Sequence, residues 1–127
     1  MTPQPIPYPA DTKAKGWRFE LDLEQIKQSD TWDLAAEVPM AQHALLMMWT
    51  TAWQQVPCGS MPADRILVRA KLKIPPKLWE PMAEVVLRGW WLAEDGRLYH
   101  DTIASRVKDM LSRKSDERQR KADYRAR

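Results

Sequence analysis

Between Ala63 and Leu98 the order of elements leaves this chain few folds to choose from. A cationic run, Ala63 to Leu72, leads through Lys73-Ile74-Pro75 into a second helical run, Pro76 to Arg88. Gly89-Trp90-Trp91-Leu92 then reads as a strand, Glu94-Asp95-Gly96 as a turn, and Arg97-Leu98-Tyr99 as the returning strand. A helix, a short turn, a second helix and a two-stranded hairpin, in that sequence, outline a winged helix-turn-helix. The expected class is mostly α with a small antiparallel sheet (α+β). The outline narrows function to a class, most often nucleic-acid handling, and leaves the target open.

With 127 residues there is room for one core plus tails. Seven Trp beside a single Phe mean a core built on indoles and methionines. An indole buries a large area yet wants a partner for its N–H, which places several at the core's edge, or else on a binding face. The net charge of +3 conceals a division. Residues 1–64 hold four Lys/Arg against eight Asp/Glu, net −4, and residues 65–127 hold sixteen against nine, net +7. A basic half that begins at the helix-turn-helix suits attraction to a polyanion, and it equally suits an ordinary solvated surface.

Cys58 stands alone, so no disulfide framework exists and a reducing compartment is expected, with the thiol acting as a small apolar side chain. Met1 to Ala10 alternates Pro with other residues and resembles no signal peptide. The most apolar stretch, Ala44 to Met48, is too short and too polar at its flanks to span a bilayer. The expected location is the cytoplasm.

Three divisions follow. Residues 1–16, with Pro at 3, 5, 7 and 9, read as a flexible extended tail. Residues 17–111 read as the winged-helix domain. Trp17-Arg18-Phe19-Glu20-Leu21-Asp22-Leu23 alternates apolar with polar and predicts a half-buried strand, a natural third member of the sheet. Asp30 to Glu37 predicts a short helix capped by Asp30, ended at Val38-Pro39, with Pro39 in the first turn of the next. Met40 to Gln55 predicts a central helix with two apolar stripes, Ala41/Leu45/Met48/Ala52 and Leu46/Trp49/Trp53/Val56, and His43 on its polar side.

Ile66, Leu67, Ala70 and Ile74 are expected inward from the next helix, opposite Arg65, Arg69 and Lys73. Trp79, Met82, Ala83 and Val86, joined by Leu78 and Val85, form the inner face of the one after, with Pro81 early enough to cost little. Asp101 caps a last helix facing inward through Ile103, Ala104, Val107, Met110 and Leu111. Residues 112–127 lose apolar periodicity and read as a basic frayed helix or disordered tail.

Residues suited to reaction chemistry are few and scattered. His43 and His100 have no zinc-type spacing with other ligands, the four Gly form no phosphate loop, and no Ser occupies a nucleophile elbow. Neither enzymatic activity nor a metal or cofactor is expected. The candidate DNA contacts are Arg65, Arg69, Lys71, Lys73 and Lys77, with Arg88 and Arg97, and from the tail Arg113, Lys114, Arg118, Arg120 and Lys121. Such side chains bind phosphates and carry no base information by themselves. Glu80 and Glu84 on the second helix, with Glu94 and Asp95 at the hairpin tip, oppose a phosphate backbone.

From Trp17 to about Met110 the chain resembles the YdaU-like prophage family, a domain-of-unknown-function group of phage and prophage replication regions. The likeness lies in Trp17-Arg18-Phe19, in Leu46-Met47-Met48-Trp49 with Trp53, and in Trp79. It continues in Val85-Val86-Leu87 running into Trp90-Trp91, in Asp95-Gly96-Arg97-Leu98, and in Ser115 to Ala122. Where that family opens its central helix on an acidic, glycine-containing turn, this chain has Val38-Pro39-Met40. The resemblance implies a winged-helix domain joined to a longer C-terminal region and involved in initiating replication or loading helicase.

The expected function is thus a DNA-binding module of a phage-type replication initiation protein, holding duplex or forked DNA mainly through phosphates. The alternatives are a winged helix that contacts the replicative helicase or another replication protein, and a transcriptional repressor of the same fold.

Overall fold

The computed structural model describes residues 2–14 and 22–126. Two short helices, α1 (Leu23–Lys27) and α2 (Asp30–Ala35), precede the central α3 (Ala41–Trp53). Strand β1 (Ser60–Pro62) leads to α4 (Arg65–Leu72) and α5 (Pro76–Val86), then β2 (Trp90–Leu92), β3 (Arg97–His100) and the long α6 (Asp101–Ala126). The protein is therefore mostly helical with one three-stranded antiparallel sheet, in the order β1-β3-β2. No helix among the described residues is long and apolar enough to cross a membrane.

Local chemistry sets the helix ends. Ser29, not Asp30, caps α2 by accepting from the Trp32 N–H, and Asp64 caps α4 through the Ile66 N–H at 2.8 Å. Lys73 ends α4 in the left-handed region (φ 57°), which turns the chain sharply into Ile74-Pro75. Pro76 then occupies the first position of α5, where a missing N–H costs nothing. Pro81 is another matter: it falls in the second turn of α5 and cannot donate to the Lys77 carbonyl. Pro39 lies in a turn ahead of α3, whose cap Met40 adopts φ 66°.

The main core lies between α2, α3, α4 and α5 and is closed by Trp90. Ala41, Leu45, Met48 and Ala52 are buried as their spacing predicts, joined by Ala44. Trp53 is buried and Trp49 half-buried, whereas Val56 lies beyond the helix end and is exposed. On α5 the expected Trp79, Met82, Ala83 and Val86 are buried, while Leu78 is exposed. Helix α4 departs most from expectation. Val68 and Leu72 enter the core with Ile74, whereas Ile66 is 66% and Leu67 51% exposed, and Ala70 is exposed as well. Val68 and Leu72, four residues apart, share the face of α4 that packs on α3 and β1.

A second cluster joins the sheet to α6 through Tyr99, Ile103, Ala104, Val107 and Met110 with Trp53 and Cys58. The proline-rich segment completes it, and so is no free tail over residues 2–14. Gln4 donates to the Leu92 carbonyl at 2.9 Å and accepts from the Glu94 N–H at 2.8 Å, forming a parallel bridge at Ala93. Tyr8 is buried, donates to the Cys58 carbonyl and meets Tyr99 edge-on at 5.7 Å between centroids. The Thr12 carbonyl accepts from the Cys58 N–H at 2.8 Å. Alternate prolines deny the segment a full strand ladder, but the Gln4 N–H, the Gln4 and Thr12 carbonyls and the Tyr8 hydroxyl make the attachment.

The predicted strand Trp17–Leu23 falls largely on residues outside those described. Its last two residues are not strand: Asp22 accepts from the Gln25 N–H and caps α1, and Leu23 is exposed. The third strand comes instead from Ser60–Pro62, whose partners are Tyr99, Leu98 and Arg97. At the other end, α6 continues unbroken to Ala126, so that of the two alternatives for the basic tail, a frayed helix or a disordered segment, the described residues are helical.

Candidate nucleic-acid interface

The twelve candidate cations do not form one surface. Arg65, Lys71, Lys73 and Lys77 are exposed around α4 and the start of α5. Arg65 and Arg69 flank a groove of about 210 Å³ floored by Ile66, Pro76 and Trp79, with Glu80 on the far side. Arg69 is partly committed already, since its Nη1 donates to the Ile74 carbonyl at 3.2 Å and braces the inter-helix turn. Arg97 is a sheet clamp: its Nε donates to Ser60 Oγ at 2.8 Å and its Nη2 to Gln55 Oε1 at 3.2 Å, tying β3 to β1 and the end of α3. Arg88 is exposed and donates from Nη1 to Thr31 Oγ1 at 3.3 Å.

The acidic hairpin tip is also partly committed, although Asp95 is exposed. Asp95 accepts from the Arg97 N–H at 3.0 Å and from the Tyr99 hydroxyl at 2.6 Å, which closes the turn. Burial and that carboxylate together push the Tyr99 hydroxyl above its ordinary range. Glu94, Glu80 and Glu84 remain exposed.

Helix α6 supplies the most regular charge among the described residues. Ile103, Val107 and Met110, spaced four and three apart, face the core, and the same rhythm continues as Lys114, Arg118, Lys121 and Arg125. One face of the helix thus changes from apolar to cationic as it leaves the body. Asp109, Asp116 and Asp123, seven apart, run along the opposite side. Lys114 is half-buried close to Cys58; burial pushes that thiol up to about 11, and the lysine opposes the rise. Arg118, Lys121 and Arg125 are exposed, as are Arg113 and Arg120 on neighbouring faces.

Sequence reasoning missed a cleft of about 350 Å³ enclosed by α1, α3, the hairpin and the start of α6. Trp49, Trp90 and Leu45 give it apolar walls, and Arg88, His100 and Arg106 bring donors to it. The residues come from elements far apart in the chain, so no local motif announces them. His100 packs against Trp90 with ring centroids 5.5 Å apart, and its Nδ1 accepts from the Thr102 N–H. Burial lowers its pKa, and the neighbouring Asp101 offsets this only in part.

No protein-family model, no curated protein and no solved structure matches this chain.

Proposed function

We propose that the chain is a nucleic-acid-binding module of winged-helix type, belonging to a phage- or prophage-type replication initiation protein and holding DNA mainly through its phosphates. The observation that carries this reading is the cationic face of α6, Lys114/Arg118/Lys121/Arg125, held on a continuous helix with Asp109, Asp116 and Asp123 turned away and Glu117 at the face's edge. Order supports the architecture: α3, β1, α4, α5, β2, β3 is helix, strand, two helices joined by a turn, then a hairpin. The resemblance carried by the tryptophan and hairpin residues points the same way. Because α5 exposes Glu80 and Glu84, the phosphate contacts are assigned to Arg65, Lys71, Lys73, Lys77 and the cationic face of α6 rather than to the middle of α5.

Fluorescence anisotropy with duplex, forked and single-stranded oligonucleotides at two salt concentrations tests this. Replacing Arg118, Lys121 and Arg125 by Ala is expected to leave the melt unchanged, since all three are exposed. The salt slope on duplex should fall by about 0.9 for each phosphate that the variant no longer neutralises. An unaltered chain with no measurable affinity at low salt overturns the reading.

A second reading rests on a different observation. Ile66 and Leu67 are exposed on α4, beside the acidic edge of the α4–α5 groove at Glu80. Such a surface suits contact with a replicative helicase or another replication protein. Under that reading Ile66→Ser with Leu67→Ser abolishes helicase capture in a pull-down and leaves DNA affinity intact.

A further inference from the structure

Arg88 and Arg106 reach the same cleft from opposite ends of the hairpin, one following α5 and the other on α6. Each is bonded to a neutral oxygen: Arg88 to Thr31 Oγ1 at 3.3 Å, Arg106 to Gln25 Oε1 at 3.1 Å. A guanidinium has five donors, so both keep N–H groups for an anion after those bonds. Asp22, the one carboxylate among the described residues lining the cleft, is engaged as the cap of α1. His100 is held by the Thr102 N–H at Nδ1, which places the proton of its neutral form on Nε2. The indoles of Trp49 and Trp90 line the same cleft.

We propose that this cleft binds a nucleoside 5′-phosphate unit, either free or at the end of a strand. The volume of about 350 Å³ falls within the roughly 300–1,000 Å³ of small-molecule sites. Indole walls suit a flat base, whose π-face stacks on aromatic side chains without regard to sequence. Paired guanidiniums suit a phosphate, which they grip through charge-assisted, forked hydrogen bonds. Neither half of the site suffices alone: an apolar slot without the arginines would take uncharged aromatics, and the arginines without the slot would take any anion. The site uses none of the residues assigned above to the duplex backbone and stands without them.

The test titrates the full chain with adenosine 5′-monophosphate, adenosine and inorganic phosphate, followed by indole fluorescence and calorimetry. The monophosphate is expected to bind saturably and at least about tenfold more tightly than either of the other two, the worth of a charge-assisted hydrogen bond. Arg106→Gln should lower that affinity by about tenfold with the melt unchanged, and Arg106→Lys should restore part of it. Duplex affinity of Arg106→Gln should stay at the parent value, which separates this site from the phosphate face of α6. An oligonucleotide carrying a 5′-phosphate, compared with its unphosphorylated twin, distinguishes the two sources. Preference for the phosphorylated end alone assigns the site to strand termini. Equal affinity for adenosine and its monophosphate, no saturable response to the monophosphate or to either oligonucleotide, or an Arg106→Gln chain that binds like the parent overturns the proposal.

Discussion

Gly59 and Gly96 have almost the same backbone, φ 82° and 78°, in opposite surroundings. A Cβ on Gly59 would lie 2.7 Å from the Tyr8 hydroxyl and 2.9 Å from Val107 Cγ2, whereas one on Gly96 meets nothing within 4 Å. Both alanine variants incur the left-handed strain of roughly 1–2 kcal/mol. Gly59→Ala adds the cost of overpacking, so it should lose about 2–5 kcal/mol in urea unfolding while Gly96→Ala loses about 1–2. Equal losses would mean that the segment bearing Tyr8 yields. His100 gives a second expectation. Its folded pKa lies below its unfolded value near 6.5, so the unfolded chain takes up the proton first. Stability is full above about 6.5 and falls as pH drops toward the folded pKa. A melt series from neutral to mildly acid pH should show that fall, and His100→Gln should reduce it. Neither residue advertised its role in the sequence, because a glycine's neighbours and a histidine's burial are properties of the assembled core.

At the scale of elements, legibility followed periodicity. The inner faces of α3, α5 and α6 were readable because their apolar residues recur at three and four. The inner face of α4 was not, since Ile66-Leu67-Val68 offers three adjacent apolar candidates and only packing against α3 and β1 selects among them. The proline-rich segment escapes sequence reasoning for another reason. Composition reports that it cannot make its own structure, and says nothing of a ready-made surface on which it can lie. That surface is built by Cys58, Tyr99 and the hairpin. Tyr8→Ala should therefore cost about 3–5 kcal/mol in chemical unfolding, the loss expected for a large buried aromatic. A loss below about 1 kcal/mol would return the segment to the status of a tail. The candidate contacts were legible as charges but not as free charges, because Arg69 and Arg97 look like any other cation until their acceptors are folded beside them.

For the whole molecule, the division of charge seen in the sequence is a division along the chain, with the acidic short helices early and the basic α6 last, although the start of α6 meets α1 through the Arg106–Gln25 bond. What joins the basic face to the body is an uninterrupted helix, and a helix transmits rotation. Each residue advances the direction of a side chain by about 100°. Inserting a single alanine near Ser112 would swing Lys114, Arg118, Lys121 and Arg125 about a quarter turn around the axis without altering one of them. Two insertions would bring the row to the far side. A seven-residue insertion returns it almost to its starting bearing, about 10 Å farther out. The cationic face therefore has a heading as well as a charge, and length changes in this helix act as a compass on where that charge points.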